Sequence, residues 1–99
     1  MAIVEVSVVP LGTKTPSVSQ YVARAVKMLE QEEDMKYELT AMGTIIEGDL
    51  DRILAVVKKM HEVVFGEGVV RVLTTIKIDD RRDKAHGMKE KVASVKKKL

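Results

Sequence analysis

The sequence predicts an α+β fold in which a four-stranded antiparallel sheet is covered on one face by two helices. Three observations lead there. Alternating apolar runs and stripes of helical period follow one another as strand, helix, strand, strand, helix, strand. The chain divides into two β-α-β halves of similar length, residues 2–42 and 44–79. Right-handed crossovers interleaved in one sheet place both crossover helices on the same face. The expected strand order is 4-1-3-2, with the first and third strands central and parallel.

Each element has its own warrant. In residues 2–10, AIVEVSVVP, Val4, Val6 and Val8 point one way, and Ile3, Glu5, Ser7 and Val9 the other. Pro10 and Gly12 end this strand. Thr15 or Ser17 is placed to cap a helix over residues 16–32, with Pro16 in its first turn and Val18, Val22, Ala25, Val26 and Leu29 as its stripe. Residues 36–42 alternate again, Tyr37, Leu39 and Ala41 against Glu38, Thr40 and Met42. Gly43 breaks the run, and residues 44–47 resume as a short strand whose facing is open. Asp49 caps a second helix running to about Phe65, with Leu50, Ile53, Leu54, Val57, Met60 and Val64 inward. Gly66 and Gly68 stop it. Residues 69–79 form the longest strand. A third helix over residues 84–98 carries Met88, Val92, Val95 and Leu99, with Gly87 weakening its first turn by about 1 kcal/mol. The whole is a ferredoxin-like βαββαβ sandwich (residues 1–80) plus a C-terminal helix (residues 84–99), one domain of 99 residues.

Composition narrows the function classes. The chain has no cysteine, which removes disulfides, thiolate nucleophiles and cysteine metal sites. No apolar run reaches the roughly 18 residues of a membrane helix, and no signal peptide opens the chain, so a cytoplasmic location is expected. Tyr21, Tyr37 and Phe65 are the only aromatics. An RNA-recognition sheet needs aromatics on its central strands, and these have none. Residues 81–99 carry a net charge of +6, eight Lys or Arg against Asp83 and Glu90, so the other eighty residues carry 2 − 6 = −4. A solvated helix face or a contact to an acidic subunit explains that tail better than nucleic acid does.

Catalytic chemistry has little to stand on. His61 reads as a partly buried structural histidine, and His86 lies far from it in sequence, so no metal pair forms. Asp79, Asp80 and Asp83 cluster as magnesium ligands do, but Arg81, Arg82 and Lys84 interleave with them, which favours local ion pairing. The loop Pro10-Leu11-Gly12-Thr13-Lys14-Thr15 lacks P-loop spacing. The protein is read as no enzyme, with no cofactor and no metal.

The uncovered sheet face is the informative surface. It should hold Ile3, Glu5, Ser7, Val9, Glu38, Thr40, Met42, Arg71, Leu73, Thr75 and Lys77, joined by either Ile45 and Glu47 or Thr44 and Ile46. That mixture suits a subunit interface with polar niches. The last strand is long, β-branched and lightly charged, a free edge that pairing with a second copy would protect. The third helix must lie on its own sheet or on a neighbour. Homo-oligomerisation, a dimer at least and by preference a tetramer, accounts for all three features; a monomer with its last helix over the open face is the competing reading.

Three segments, Ser7-Val8-Val9-Pro10-Leu11-Gly12, Met42-Gly43-Thr44-Ile45-Ile46-Glu47-Gly48, and Arg71-Val72 with Ile78-Asp79-Asp80-Arg81-Arg82-Asp83-Lys84, resemble the thiamine-binding protein family of small ferredoxin-like proteins. The resemblance spans nearly the whole chain. It implies tetramers built from dimers with paired sheets, and non-catalytic binding of thiamine or its hydroxymethylpyrimidine moiety. A buried thiazolium needs a carboxylate partner, and an aminopyrimidine needs both donors and acceptors. Glu5, Ser7, Thr40, Met42, Thr44 and Glu47 are the candidate ligand-binding residues. Glu5 and Glu47, if neighbours, would repel unless a cation sat between them; pairing with Arg71 and Lys77 is the competing reading. The alternative function is a regulatory or interaction module that senses another metabolite and contacts a partner through Lys96, Lys97 and Lys98.

Overall fold

A computed structural model of the chain describes residues 1–66, 68–84 and 87–99. Its elements are β1 (Ala2–Pro10), α1 (Ser19–Glu30), β2 (Lys36–Thr40), β3 (Gly43–Gly48), α2 (Leu50–Val63), β4 (Val72–Asp80) and α3 (Met88–Lys96). The strands form one sheet in the order β2-β3-β1-β4, the expected 4-1-3-2 read from the other edge. The central pair differs from expectation, because β1 and β3 are antiparallel. The topology requires it. Each crossover returns the chain in its starting direction, and the β2–β3 hairpin between the two crossovers reverses it once.

Helices α1 and α2 pack side by side against one face of the sheet. The core between them is Val4, Val6 and Val8 of β1, Ile46 of β3, Ala25 and Leu29 of α1, and Ile53, Val56, Val57 and Met60 of α2. Tyr21 joins this core, so the buried stripe of α1 is Tyr21, Ala25 and Leu29. Val22 and Val26, expected inside, sit only half-buried at its margin. In α2, Val56 is buried and Leu54 is exposed, a rotation of the stripe from the one expected. Arg52 ties α2 to the loop before β2, donating to Asp34 at 2.9 Å and to Glu32 at 3.4 Å.

Element ends are set by capping. The Asp49 carboxylate accepts from the Arg52 N–H at 3.2 Å, the expected cap of α2. Helix α1 starts later than expected, after Val18, which makes no side-chain cap. The hydroxyls proposed for that cap are used inside the loop: Thr13 Oγ1 donates to the Thr15 carbonyl at 2.8 Å, and Thr15 Oγ1 accepts from the Ser17 N–H at 3.3 Å. Helix α3 also starts late, with Gly87 as its N-cap residue; residues 85 and 86 of the expected helix, His86 among them, lie outside the described residues. Strand β4 begins at Val72, three residues later than expected; before it, the Val69 N–H donates to the Gly66 carbonyl at 2.9 Å.

Candidate functional site

The register of the strands fixes which side chains share the open face. Ile3 stands opposite Glu47 on one side and Asp79 on the other, and Glu47 stands opposite Lys36. The next row along the sheet is Glu38, Ile45, Glu5 and Lys77. Thus Ile45 and Glu47, and not Thr44 and Ile46, occupy the open face. Glu5 and Glu47 lie one row apart, on the diagonal, with Glu38 and Glu5 flanking Ile45 directly. Glu5 stands opposite Lys77 across the β1–β4 rung, and Glu47 opposite Lys36.

Helix α3 lies over the first of these rows. Glu47 Oε2 accepts from the Met88 N–H at 2.9 Å, and Lys91 is paired with Asp79. The Glu47 carboxylate therefore satisfies one of the orphan donors at the start of α3. No residue of α3 is buried, and Val92, Val95 and the terminal Leu99 remain exposed. The helix is held by polar contacts across the sheet face, and its apolar stripe has no cover in the described structure.

The other four candidates gather at the opposite end of the sheet. Ser7, Thr40, Met42 and Thr44 line a cavity of about 170 Å³ between β1, α1 and the β2–β3 turn. Thr40 Oγ1 donates to the Gly43 carbonyl at 2.8 Å and accepts from the Met42 N–H at 3.2 Å, which closes the turn. Met42 is largely exposed. Thr44 departs from an open-face site: strand alternation turns it to the helix side with Ile46, where it is 3% exposed. Gly43 passes so close to β1 that a Cβ there would lie 2.9 Å from the Val6 carbonyl oxygen, and its φ of +156° suits only glycine. The structure thus divides the six candidates into an acidic pair beside α3 and a hydroxyl-bearing cavity beyond Glu5. The sequence signals missed the capping of α3 by Glu47, a contact across 41 positions.

The remaining candidates take structural roles. His61 Nδ1 and Thr74 Oγ1 share a hydrogen bond at 2.6 Å, and the ring meets Phe65 edge-on at 5.3 Å. The aspartates at the end of β4 and just beyond it are consumed by ion pairs, Asp80 with Arg82 at 2.9 Å and Asp83 with Arg81 at 2.6 Å. Hydrogen bonds from those guanidinium groups hold both carboxyls below the usual range. Among the described residues no group of His, Asp and Glu is arranged to hold a metal ion, and no helix is long and apolar enough to cross a membrane.

Comparison with known proteins gives a consistent picture. The family model for thiamine-binding proteins matches residues 4–96. UPF0045 protein YqgV of Bacillus subtilis is 50% identical over 100% of this chain and 98% of its own length. A UPF0045 protein of Methanothermobacter thermautotrophicus is 48% identical over the full length of both. Among solved structures, a hypothetical protein of Methanocaldococcus jannaschii superposes with a TM-score of 0.87 at 42% identity, covering 96% of this chain and 95% of that one. A Thermotoga maritima protein, described as a candidate thiamine biosynthesis or salvage protein, superposes with a TM-score of 0.78 at 23% identity, covering 95% and 97%. That last likeness is one of fold.

Proposed function

Since the chain belongs to the thiamine-binding protein family, we propose that it works by binding a small molecule and not by catalysis, with thiamine or its hydroxymethylpyrimidine moiety as the ligand. The observation that carries this reading is the row on the open face in which Glu5 and Glu38 flank Ile45, with Glu47 diagonal to Glu5. Three carboxylates around an aliphatic side chain suit a ligand that joins a fixed positive charge to an apolar ring. Lys36 and Lys77 stand at the ends of these rows and temper the field without cancelling it. A carboxylate gains most from a cation when both leave water together, so partial cover from α3 or from a second subunit strengthens the site.

The oligomer is part of the proposal. Strand β4 offers nine residues with no strand beyond them among the described residues, and Leu73, Ile76 and Ile78 are 56%, 42% and 46% exposed. Such an edge invites pairing with a second copy. The uncovered stripe of α3 supplies a second surface, which together with the first would make a cytoplasmic homotetramer, a dimer of dimers. The test is titration calorimetry with thiamine. Binding heat is expected for the natural protein and its loss in Glu5→Gln and Glu47→Gln, with subunit number unchanged by native mass spectrometry. Both substitutions keep the side chain's shape and one acceptor oxygen, remove the charge and replace the other oxygen by an NH2 donor. Equal binding in both variants would discard this site.

A second reading is favoured by one observation, the exposure of Val92 and Val95 on a helix that ends in Lys96, Lys97 and Lys98. On that reading α3 contacts an acidic partner, and the protein is a regulatory module. Capture of such a partner that disappears when the three lysines become Glu would support it over ligand storage.

A further inference from the structure

Helix α3 is docked by charge and not by packing. No residue of it is buried, yet it lies over the open face, where Glu47 Oε2 accepts from the Met88 N–H at 2.9 Å and Lys91 is paired with Asp79. Both anchors belong to the row in which Glu47 and Asp79 flank Ile3. The helix does not close down on the next row. Glu5 is exposed there, and a cleft of about 280 Å³ stands open between Glu38 of β2 and Met88, Lys89, Val92 and Lys96 of α3. The helix also brings positive charge to this face. Met88–Lys96 carries Lys89, Lys91 and Lys96 against Glu90, and the positive end of its dipole rests on Glu47. The two rows of the sheet hold Glu5, Glu38, Glu47 and Asp79 against Lys36 and Lys77.

Glu47 therefore already has a positive partner, and the chain itself supplies it. A cationic ligand drawn to Glu5 and Glu47 meets that partner as a competitor, because like charges at one carboxylate repel. We propose that α3 is a releasable strap: a cation bound at Glu5 and Glu47 displaces the N-terminus of α3 from the Glu47 carboxylate, and the freed helix reports that the site is filled. The inference rests on the binding role proposed above and adds its regulation. What has to give way is small. A helix seated through an apolar face would lose its packing on release, whereas α3 loses one cap and one solvated ion pair. Together these shift its docking equilibrium by a factor on the order of ten to a hundred. A ligand moves that equilibrium only by the difference in its affinity for the strapped and released states, and Glu47, taken up in one and open in the other, provides that difference. Cover over the bound cation is then left to the second subunit.

The test follows amide exchange of α3 in the full chain as thiamine, the probe, is added. Saturating thiamine should speed exchange from Lys91 to Lys96 by about fivefold, the size of a lost helix cap. Reciprocity requires that loosening the strap tightens the ligand. Lys91→Ala and Asp79→Asn both break the second anchor, and each should tighten thiamine by about two- to fivefold. They change the local charge in opposite directions, so tightening in both separates release of α3 from a change in the field. Lys89 makes no ion pair among the described residues, and Lys89→Ala should leave α3 exchange as it is. Thiamine binding with α3 exchange unchanged or slowed overturns the strap and leaves the binding role standing. So does binding that tightens in Lys91→Ala and weakens in Asp79→Asn, the signature of charge alone. Binding detected only in the two anchor variants supports the strap in its strongest form. No thiamine binding in the natural protein or in either variant overturns the proposed ligand and the strap together.

Discussion

Glu47 and Met88 are joined across the open face of the sheet, the Glu47 carboxylate accepting the first free N–H of α3 at 2.9 Å. The contact places a negative charge at the positive end of the helix dipole. It also explains Gly87. A Cβ at that position would lie 2.9 Å from Glu47 Oε2 and 2.8 Å from Glu90 Oε2, so a larger residue would push the carboxylate off its donor. The same carboxylate belongs to the acidic group to which we assign the ligand's charge, so α3 and ligand draw on one side chain.

Removing this cap should loosen α3 and little else. The helix contributes no buried residue, so its detachment leaves the core intact. In Glu47→Ala the local loss is about 0.5–2 kcal/mol, the range for a helix cap. The expected outcome is faster amide exchange from Lys91 to Lys96 and reduced helical circular dichroism, with an unchanged urea midpoint. Glu47→Gln keeps an acceptor oxygen and should retain most of the protection. A fall in global stability equal to that of a core truncation such as Ile53→Ala, about 2–5 kcal/mol, would show that α3 is part of the core after all.

The polar segment after β4 gives a prediction about protons. Arg82 donates to Asp80 from Nη2 at 2.9 Å and from Nε at 3.2 Å, and these hydrogen bonds lower the Asp80 carboxyl. A carboxyl whose folded value is lowered adds stability above its unfolded value, near 3.9, and that contribution is lost as pH falls through the folded value. Both side chains are solvated, so the energetic effect is small. In Arg82→Ala the Asp80 titration midpoint should rise towards the ordinary value, read from its carboxyl carbon shift, while the urea midpoint at pH 7 stays in place. An unmoved midpoint would mean that the pair does not persist in solution.

What the sequence made legible follows the same physics. Val4, Val6 and Val8 alternate against Glu5 and Ser7, and a one-residue slip would drown all three valines, so β1 and its facing could be read directly. Asp49 announced α2 because a cap is a local event. The facing of β3 was not legible, because Gly43 has no side chain to mark a side and interrupts the alternation. Tyr21 was missed for Val22 because adjacent residues on a helix differ by only about 100°, and the choice between them depends on where a short β2 leaves a gap. The candidate site was half legible. Its residue types were visible in the strands, whereas their division between the open face and the cavity depends on where β3 pairing stops. The tie between Glu47 and Met88 carries no local signal at all.

The outer edge of β4 offers the most direct test of assembly. Among the described residues its side away from β1 has no strand partner, and Ile76 and Ile78, on the helix side of the sheet, are still 42% and 46% exposed. Main-chain groups of that edge can satisfy water, but exposed isoleucines on a nine-residue strand gain by burial, about 25 cal/mol per Å² of apolar surface removed from water. Two copies related by a two-fold axis would continue the sheet from β4 to β4 and bury the same residues on both sides. Native mass spectrometry should then show multiples of 11.0 kDa for the natural protein. Ile76→Lys places a like charge beside its own copy and should shift the population to the single chain, with circular dichroism unchanged. A natural protein that stays at 11.0 kDa at every concentration would remove the edge from the interface and with it the shared cover proposed for the ligand.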